Sequence, residues 1–270
     1  MENFQLSNDR LDSKVIIVTG STQGLGVYIA QRIAHLGAAG LVVCGRKEAQ
    51  GNQVADELSA LGTKSIFVKA DLNEEADCRA IVKACDEAFG RVDGLVNAAG
   101  LSTRGTLHST SVELWNRLFN INARAPFILM QEAVRLMKRE GIKGSIVNII
   151  TMGSYGGPPE LMAYCSSKGA LSILTKSVAQ GLLRDHIRVN GLNIGWMETP
   201  GEHEVQKASG KGEDWLEQAT LTRPFGRLLH PKDIAPMVTY LLSDQAQMMT
   251  GSLIDLDQTI HGPYGEAPLE

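Results

Sequence analysis

This chain lacks most of the features that would tie it to a membrane, a secretory route, a metal or a polymer. No apolar run approaches the roughly 20 residues that span a bilayer, and the opening stretch, residues 1–14, is polar and carries no apolar signal core. Of 270 residues only four are cysteines, Cys44, Cys78, Cys85 and Cys165. They have neither metal-ligand spacing nor the pattern of a disulfide framework, so reduced thiols in a cytoplasmic protein are expected. No HExxH or histidine cluster suggests a metal site. Lys and Arg number 26 against 30 Asp and Glu, a net charge of -4, with no basic tract and no interleaving of basic and aromatic residues. A nucleic-acid partner is therefore not expected.

Glycine, at 28 residues, is plentiful, and it recurs at the ends of short β-branched runs. Buried strands are read at Lys14–Gly20, Leu41–Cys44, Ser65–Asp71, Gly94–Gly100, Ser145–Ile150, Ile187 onward and Ser252–Leu256. Helical spacing fills the gaps: from near Leu25 to before Gly37, then Glu48–Leu61, Glu74–Phe89, Ser111–Lys138 with a kink at Pro126, Glu160 to about Leu183, and Pro231–Leu242. Seven strands alternating with helices, without repeats or a composition break, predict an α/β fold. It is a single-domain, doubly wound, parallel seven-stranded sheet of Rossmann-like form with helices on both faces. Residues 201–222 turn polar and read as a mobile lid over a ligand, and residues 258–270 as a tail.

Ligands of such sheets bind beyond the carboxyl ends of the strands, and the chemically suggestive residues fall there. The turn Thr19-Gly-Ser-Thr-Gln-Gly-Leu-Gly26 lies between a strand and a helix. Its glycines suit a tight turn, a close backbone approach to a pyrophosphate and a helix packed on its strand, with phosphates on the helix N-terminus. The spacing is GxxxGxG, not the general GxGxxG. About 20 residues on, where NAD-binding chains carry an acid, stands Arg46. A guanidinium there can fork onto a 2′-phosphate, so NADP is the preferred cofactor with NAD an alternative. Asp71, closing the third strand, can accept from an adenine amine. Tyr164 and Lys168, four apart on a helix, share a face, and an ammonium beside a phenol would draw the tyrosine pKa downward toward neutral pH. Cys165 between them reads as a small packed residue.

Taken together these pieces resemble the short-chain dehydrogenase/reductase family from about Leu11 to Asp257. The matches are TGSTQGLG, Asp71-Leu72, Asn97-Ala-Ala-Gly100, Trp115 with Asn122 seven residues later, Tyr164-xxx-Lys168, and Arg188-Val-Asn190 leading to Gly195 and Thr199-Pro200. The resemblance implies hydride transfer between a nicotinamide and a carbonyl/alcohol pair. Tyr164 would protonate the carbonyl oxygen, Lys168 would hold the nicotinamide ribose and keep the phenol acidic, and Asn122 would position a water between the lysine and solvent. It also implies cofactor contacts from Gly20, Thr22, Gln23, Gly24, Leu25, Gly26, Arg46, Asp71, Leu72, Asn97, Gly100, Tyr164, Lys168 and Thr199. The family's serine, thirteen residues before the tyrosine, is Thr151 here, which keeps the hydroxyl but adds a methyl; Ser154 is a weaker candidate for the same role. Ile194 replaces the family's proline and Asp257-Gln-Thr its Asp-Gly-Gly. These departures leave open a rival reading, a nucleotide-binding sensor or regulatory protein with weak or no catalysis.

For the substrate side, Trp196, just past Gly195, is expected to overhang the nicotinamide, with Met197, Glu198, His203, Glu204 and Trp215 nearby. Thr151, Ser154 and Trp196 are the substrate contacts, and the mixture favours a small hydroxylated molecule such as a sugar, polyol or sugar acid. The resemblance further implies a homodimer or homotetramer, with Phe127, Leu129, Met130, Leu174 and Val178 as outward apolar positions.

Overall fold

A computed structural model describes residues 10–260. Seven parallel strands form one sheet: β1 (Val15–Val18), β2 (Gly40–Gly45), β3 (Lys64–Lys69), β4 (Gly94–Asn97), β5 (Ser145–Ile149), β6 (Arg188–Ile194) and β7 (Leu253–Leu256). Their order across the sheet is β3-β2-β1-β4-β5-β6-β7. The order reverses between β1 and β4, and the crevice at that switch point is where such folds take ligands. Helices α1 (Gly24–His35), α2 (Glu48–Ala60) and α9 (Pro231–Leu242) cover one face. Helices α3 (Glu75–Phe89), α5 (Ala125–Arg139) and α6 (Met162–Gly181) cover the other. Strand side chains alternate between two cores: Ile16 and Val18 point into the first, Val15 and Ile17 into the second. A sheet buried on both faces explains why its strands read as unbroken apolar runs.

The long helix expected over Ser111–Lys138 is instead two helices, α4 (Val112–Phe119) and α5, joined by a single π-helical turn at Asn120–Arg124. The interruption precedes Pro126, which sits in the first turn of α5, where a missing N–H costs nothing. The outward apolar set also needs correction. Leu129 and Met130 are fully buried, and Leu174 and Val178 pack against the core, so of the five only Phe127 is exposed, at 46%. Apolar surface on these helices comes instead from Trp115, stacked on Phe119 at 4.7 Å, and from Val112 and Ile173.

Leu11 is wholly buried and its amide donates to the carbonyl of Leu36 at 2.8 Å, so the chain is anchored well before β1. The segment read as a mobile lid contains two short helices, α7 (Pro200–Ala208) and α8 (Trp215–Leu221). Trp215, Ala219 and Leu228 make a small core of their own against Trp196 and Leu216. The tail beyond residue 260 lies outside the described residues. No helix among the described residues is long and apolar enough to cross a membrane.

Candidate active site

A cleft of about 1050 Å³ runs along the carboxyl ends of the strands from Arg46 to Arg223. Its cofactor end is made of backbone. Gly20 has φ +62°, and a Cβ there would lie 2.8 Å from the Cα of Ala99; a Cβ on Gly26 would lie 2.3 Å from the carbonyl oxygen of Gly20. Side chains at either position would fill the turn or push it away from α1. That helix starts at Gly24 with no side-chain cap and no acid in its first turn, so its opening amides and positive dipole end are left for an anion. Gly20, Thr22, Gln23, Gly24, Leu25 and Gly26 all line the cleft. Arg46, just past β2, is exposed on its rim with no carboxylate partner among the described residues. Asp71 and Leu72 line it farther along, and the Asp71 carboxylate accepts the amide of Asn73 at 2.9 Å. This end fits a dinucleotide with its phosphates on the turn.

At the centre, the end of β5 leads into Thr151, which lines the cleft with Tyr164 of α6. Thr151 Oγ1 accepts the amide of Gly153 at 3.2 Å, which fixes its direction. The expected lowering of the Tyr164 pKa is not found. Burial pushes the phenol up, from 10 to about 12, the Thr151 hydroxyl opposes it, and Cys165 and the carboxylate of Glu202 add to the rise. Desolvation of the oxygen dominates, and no cation is among the causes. Lys168 is buried and donates to the carbonyl of Ile149 at 2.7 Å; burial pulls its pKa from 10.5 down to about 8. The phenol thus keeps its proton well above neutral pH, and the lysine, still mostly protonated at neutral pH, gives up its proton more easily than a free amine. Cys165 packs under the loop, with a thiol pushed up by burial.

Three expected site residues lie behind the cleft wall. Asn122 is fully buried: its Oδ1 accepts the amide of Leu101 at 2.9 Å, and its Nδ2 donates to the carbonyl of Leu101 at 2.8 Å and to Ser167 Oγ at 2.9 Å. Its neighbour is Lys168, across Gly100, since a Cβ on Gly100 would meet Lys168 Nζ at 3.5 Å and Asn122 Oδ1 at 3.6 Å. Asn97 donates to Asn148 at 2.7 Å, joining β4 to β5. Ser154 does not line the cleft, and its amide donates to the Thr151 carbonyl at 2.9 Å, so the hydroxyl at the centre is that of Thr151. Gly100, Thr199 and Trp196 do line it.

The far end is built of side chains. Thr199 caps α7 by accepting the amide of Glu202 at 3.1 Å, and the helix turns Glu202, Val205 and Gln206 into the cleft at i, i+3 and i+4. His203 and Glu204 are exposed outside it. Glu202 Oε1 accepts from Trp196 Nε1 at 2.8 Å and from Gln206 Nε2. Across the opening Arg104, on the loop after β4, approaches the same oxygen at 3.7 Å. Neither Arg104 nor Glu202 stands out in the sequence; the Thr-Pro-Gly-Glu run at 199–202, a helix start with Glu at its third position, is the signal that would have turned Glu202 inward. Asp257 packs on Gly195, where a Cβ would lie 1.9 Å from its Oδ1, which ties this departure from the family pattern to the turn that carries Trp196.

A tyrosine and a threonine hydroxyl beside a buried lysine, in one cleft with a glycine turn at an uncapped helix start, suit an oxidoreductase that uses a nicotinamide dinucleotide. The family model described as enoyl-(acyl carrier protein) reductase matches residues 20–261. The chain is 35% identical to the NADP-dependent (R)-specific alcohol dehydrogenase of Lentilactobacillus kefiri, over 92% of this chain and 97% of that one. Among solved structures, a short-chain type dehydrogenase/reductase from Mycobacterium marinum superposes with a TM-score of 0.86 at 27% identity, covering 95% of this chain and 98% of that one. A variant actinorhodin polyketide ketoreductase with NADPH does so with 0.86 at 30%, covering 94% and 98%. The chain belongs to the short-chain dehydrogenase/reductase family. It is an NAD(P)-dependent oxidoreductase acting on alcohol/carbonyl pairs.

Proposed function

We propose that the chain is an NADP-preferring dehydrogenase/reductase of a small polar substrate, a sugar, polyol or sugar acid, and that Tyr164, Lys168 and Thr151 carry the reaction. The observation behind this reading is the convergence of Tyr164, Thr151 and buried Lys168 on one cleft whose opposite end is an uncapped helix start. Bound NADPH supplies the hydride. Tyr164 holds the proton for the developing alkoxide, and its high pKa keeps that proton in place until the oxygen arrives. Thr151 directs its hydroxyl at the same oxygen, and its amide contact to Gly153 limits rotation. Lys168, its pKa lowered by burial to about 8, holds its proton more firmly when a negative group enters, and its charge lowers the phenol toward the working pH. Asn122 fixes the Leu101 backbone and Ser167 beside Lys168, and so positions the lysine. Arg46 reads the 2′-phosphate by its free guanidinium. Residues 201–222 cover the substrate, with Trp196 as the wall over the nicotinamide.

The loss of reduced nicotinamide absorbance across a panel of aldoses, polyols, sugar acids and apolar ketones tests this. Polar substrates are expected to give the higher kcat/KM, and Tyr164→Phe to lower kcat by about 10²- to 10⁴-fold. Undiminished activity in the variant overturns the assignment, and a panel led by apolar ketones overturns the substrate class. Tight NADPH binding with no turnover on any member would point to a sensor. We propose a homodimer or homotetramer built on the exposed Trp115, Val112, Phe127 and Ile173 face; a monomer mass by light scattering at micromolar concentration would refute it.

A further inference from the structure

The substrate end of the cleft holds a guanidinium with an unspent donor. Arg104 Nε is buried and has no partner, and the nearest approach of its Nη2 to Glu202, 3.7 Å, is an ion pair too long for a hydrogen bond. Glu202 is already shared: its Oε1 takes the Trp196 indole and the Gln206 amide as well. Trp196 carries a second guanidinium, Arg223, 5.7 Å from its ring centre, and that side chain has one hydrogen bond, to Thr222 Oγ1 at 3.1 Å, with no carboxylate partner among the described residues. Both arginines line the cleft, as does Lys211. Formal charge alone does not decide the matter, because Arg117 and these three cations face Glu160, Glu202 and Asp257 in the same lining. Geometry does. A buried N–H left without an acceptor is costly in a folded protein, and a planar fork matches a carboxylate better than a hydroxyl.

Building on the proposed reaction, we infer that Arg104 and Arg223 form an anion-binding subsite that seats a carboxylate of the substrate, so that the enzyme acts on hydroxy or keto acids in preference to their neutral counterparts. Glu202 holds Arg104 and Trp196 in place for this and is not itself the ligand. Trp196 carries Arg223 on its ring and donates to the Glu202 oxygen that Arg104 approaches. The seated carboxylate leaves the reacting carbon to Tyr164 and Thr151.

The test uses matched probes: 3-hydroxybutanoate against 3-hydroxybutanamide, and gluconate against glucitol, each with NADP. Wild type is expected to favour each acid at least tenfold in kcat/KM. In Arg104→Gln and in Arg223→Gln that acid-to-neutral ratio should fall by about 10- to 100-fold, the worth of a hydrogen bond to a charged group, through KM more than kcat. Should Arg104→Gln fail to fold, Arg223→Gln still decides, because Arg223 lies on the outer wall with a single hydrogen bond. Quenching of tryptophan fluorescence by the acid and not the amide, lost in Trp196→Phe, reads binding without turnover. A wild-type ratio near one, or a ratio unchanged in both variants, overturns the subsite while leaving the oxidoreductase reading intact. Selective quenching by the acids without turnover on any probe upholds the subsite and overturns the proposed substrate chemistry.

Discussion

The two ends of the cleft are built from different materials. At the proposed cofactor end the lining is main chain, a turn whose shape depends on the absence of side chains at Gly20 and Gly26. At the proposed substrate end it is side chains, Arg104, Glu202, Trp196 and Arg223, brought from the loop after β4, from α7, from the turn after β6 and from the segment after α8. A backbone site either has room or has none. A side-chain site can be retuned one group at a time, which suits a fold that keeps one cofactor and changes substrate.

Substitutions can break or sharpen this contrast. The largest effect is expected at Gly26→Val, whose branched side chain has nowhere to go beside the Gly20 carbonyl; NADPH affinity by titration should fall by more than about 100-fold, with a lower melting temperature. Trp196→Ala, at the other end, should raise KM for polar substrates and leave the NADPH dissociation constant nearly as it was. Arg46→Asp falls between, because it is a side chain at the backbone end. NADPH binding should weaken about 10- to 100-fold more than NADH binding, and equal losses would show that Arg46 does not read the phosphate.

The Tyr164–Lys168 pair at the centre predicts a pH signature of intermediate size. The folded pKa of Lys168 is depressed, to about 8 from 10.5, so between those values the unfolded chain binds the extra proton and stability rises with pH. The folded pKa of Tyr164 is raised, to about 12 from 10, so above pH 10 stability falls again as the unfolded chain loses its proton first. Between pH 8 and 10 wild type should gain on the order of 2 kcal/mol over Lys168→Met in urea unfolding; parallel curves would mean that Lys168 stays charged in the fold. The smallest effect belongs to Glu202→Gln. The carboxylate contributes the last of the upward pushes on Tyr164, so its removal should bring tyrosinate formation, followed by ultraviolet difference spectra, down by less than about one unit.

The same contrast decides what the sequence makes legible. The turn at 19–26 is contiguous, and its chemistry follows from glycine spacing between a strand and a helix, so Gly20 to Gly26 could be placed without coordinates. Tyr164 and Lys168 share a helix face, and the i, i+4 rule places them. Their electrostatics could not be read that way, because desolvation depends on what covers them, and the sign for Tyr164 came out opposite to that of the pair considered alone. Asn97 and Asn122 match family spacing yet lie outside the lining, which spacing does not encode. Arg104 and Glu202 are separated by nearly a hundred residues and meet only because the sheet order sets β4 and β6 on either side of β5, so that the segments leaving them approach across its end. Leu129 and Met130 were misread for a related reason: the phase of a helix past a π turn cannot be extrapolated from the residues before it.

That π turn at Asn120–Arg124 has a consequence for engineering. Each residue advances an α-helix by about 100°, so a π turn amounts to one extra residue accommodated without lengthening the helix. Deleting one residue between 120 and 124 would let α4 and α5 fuse into a single regular rod. Because the wider turn already absorbs the extra residue, the deletion would leave the Trp115–Phe119 stack on its face and would remove the bulge itself, pulling the Asn122 amide off Leu101 and Ser167. Such a variant would keep its sheet, its glycine turn and its outer helical face, and would lose the support of Lys168 by one deletion.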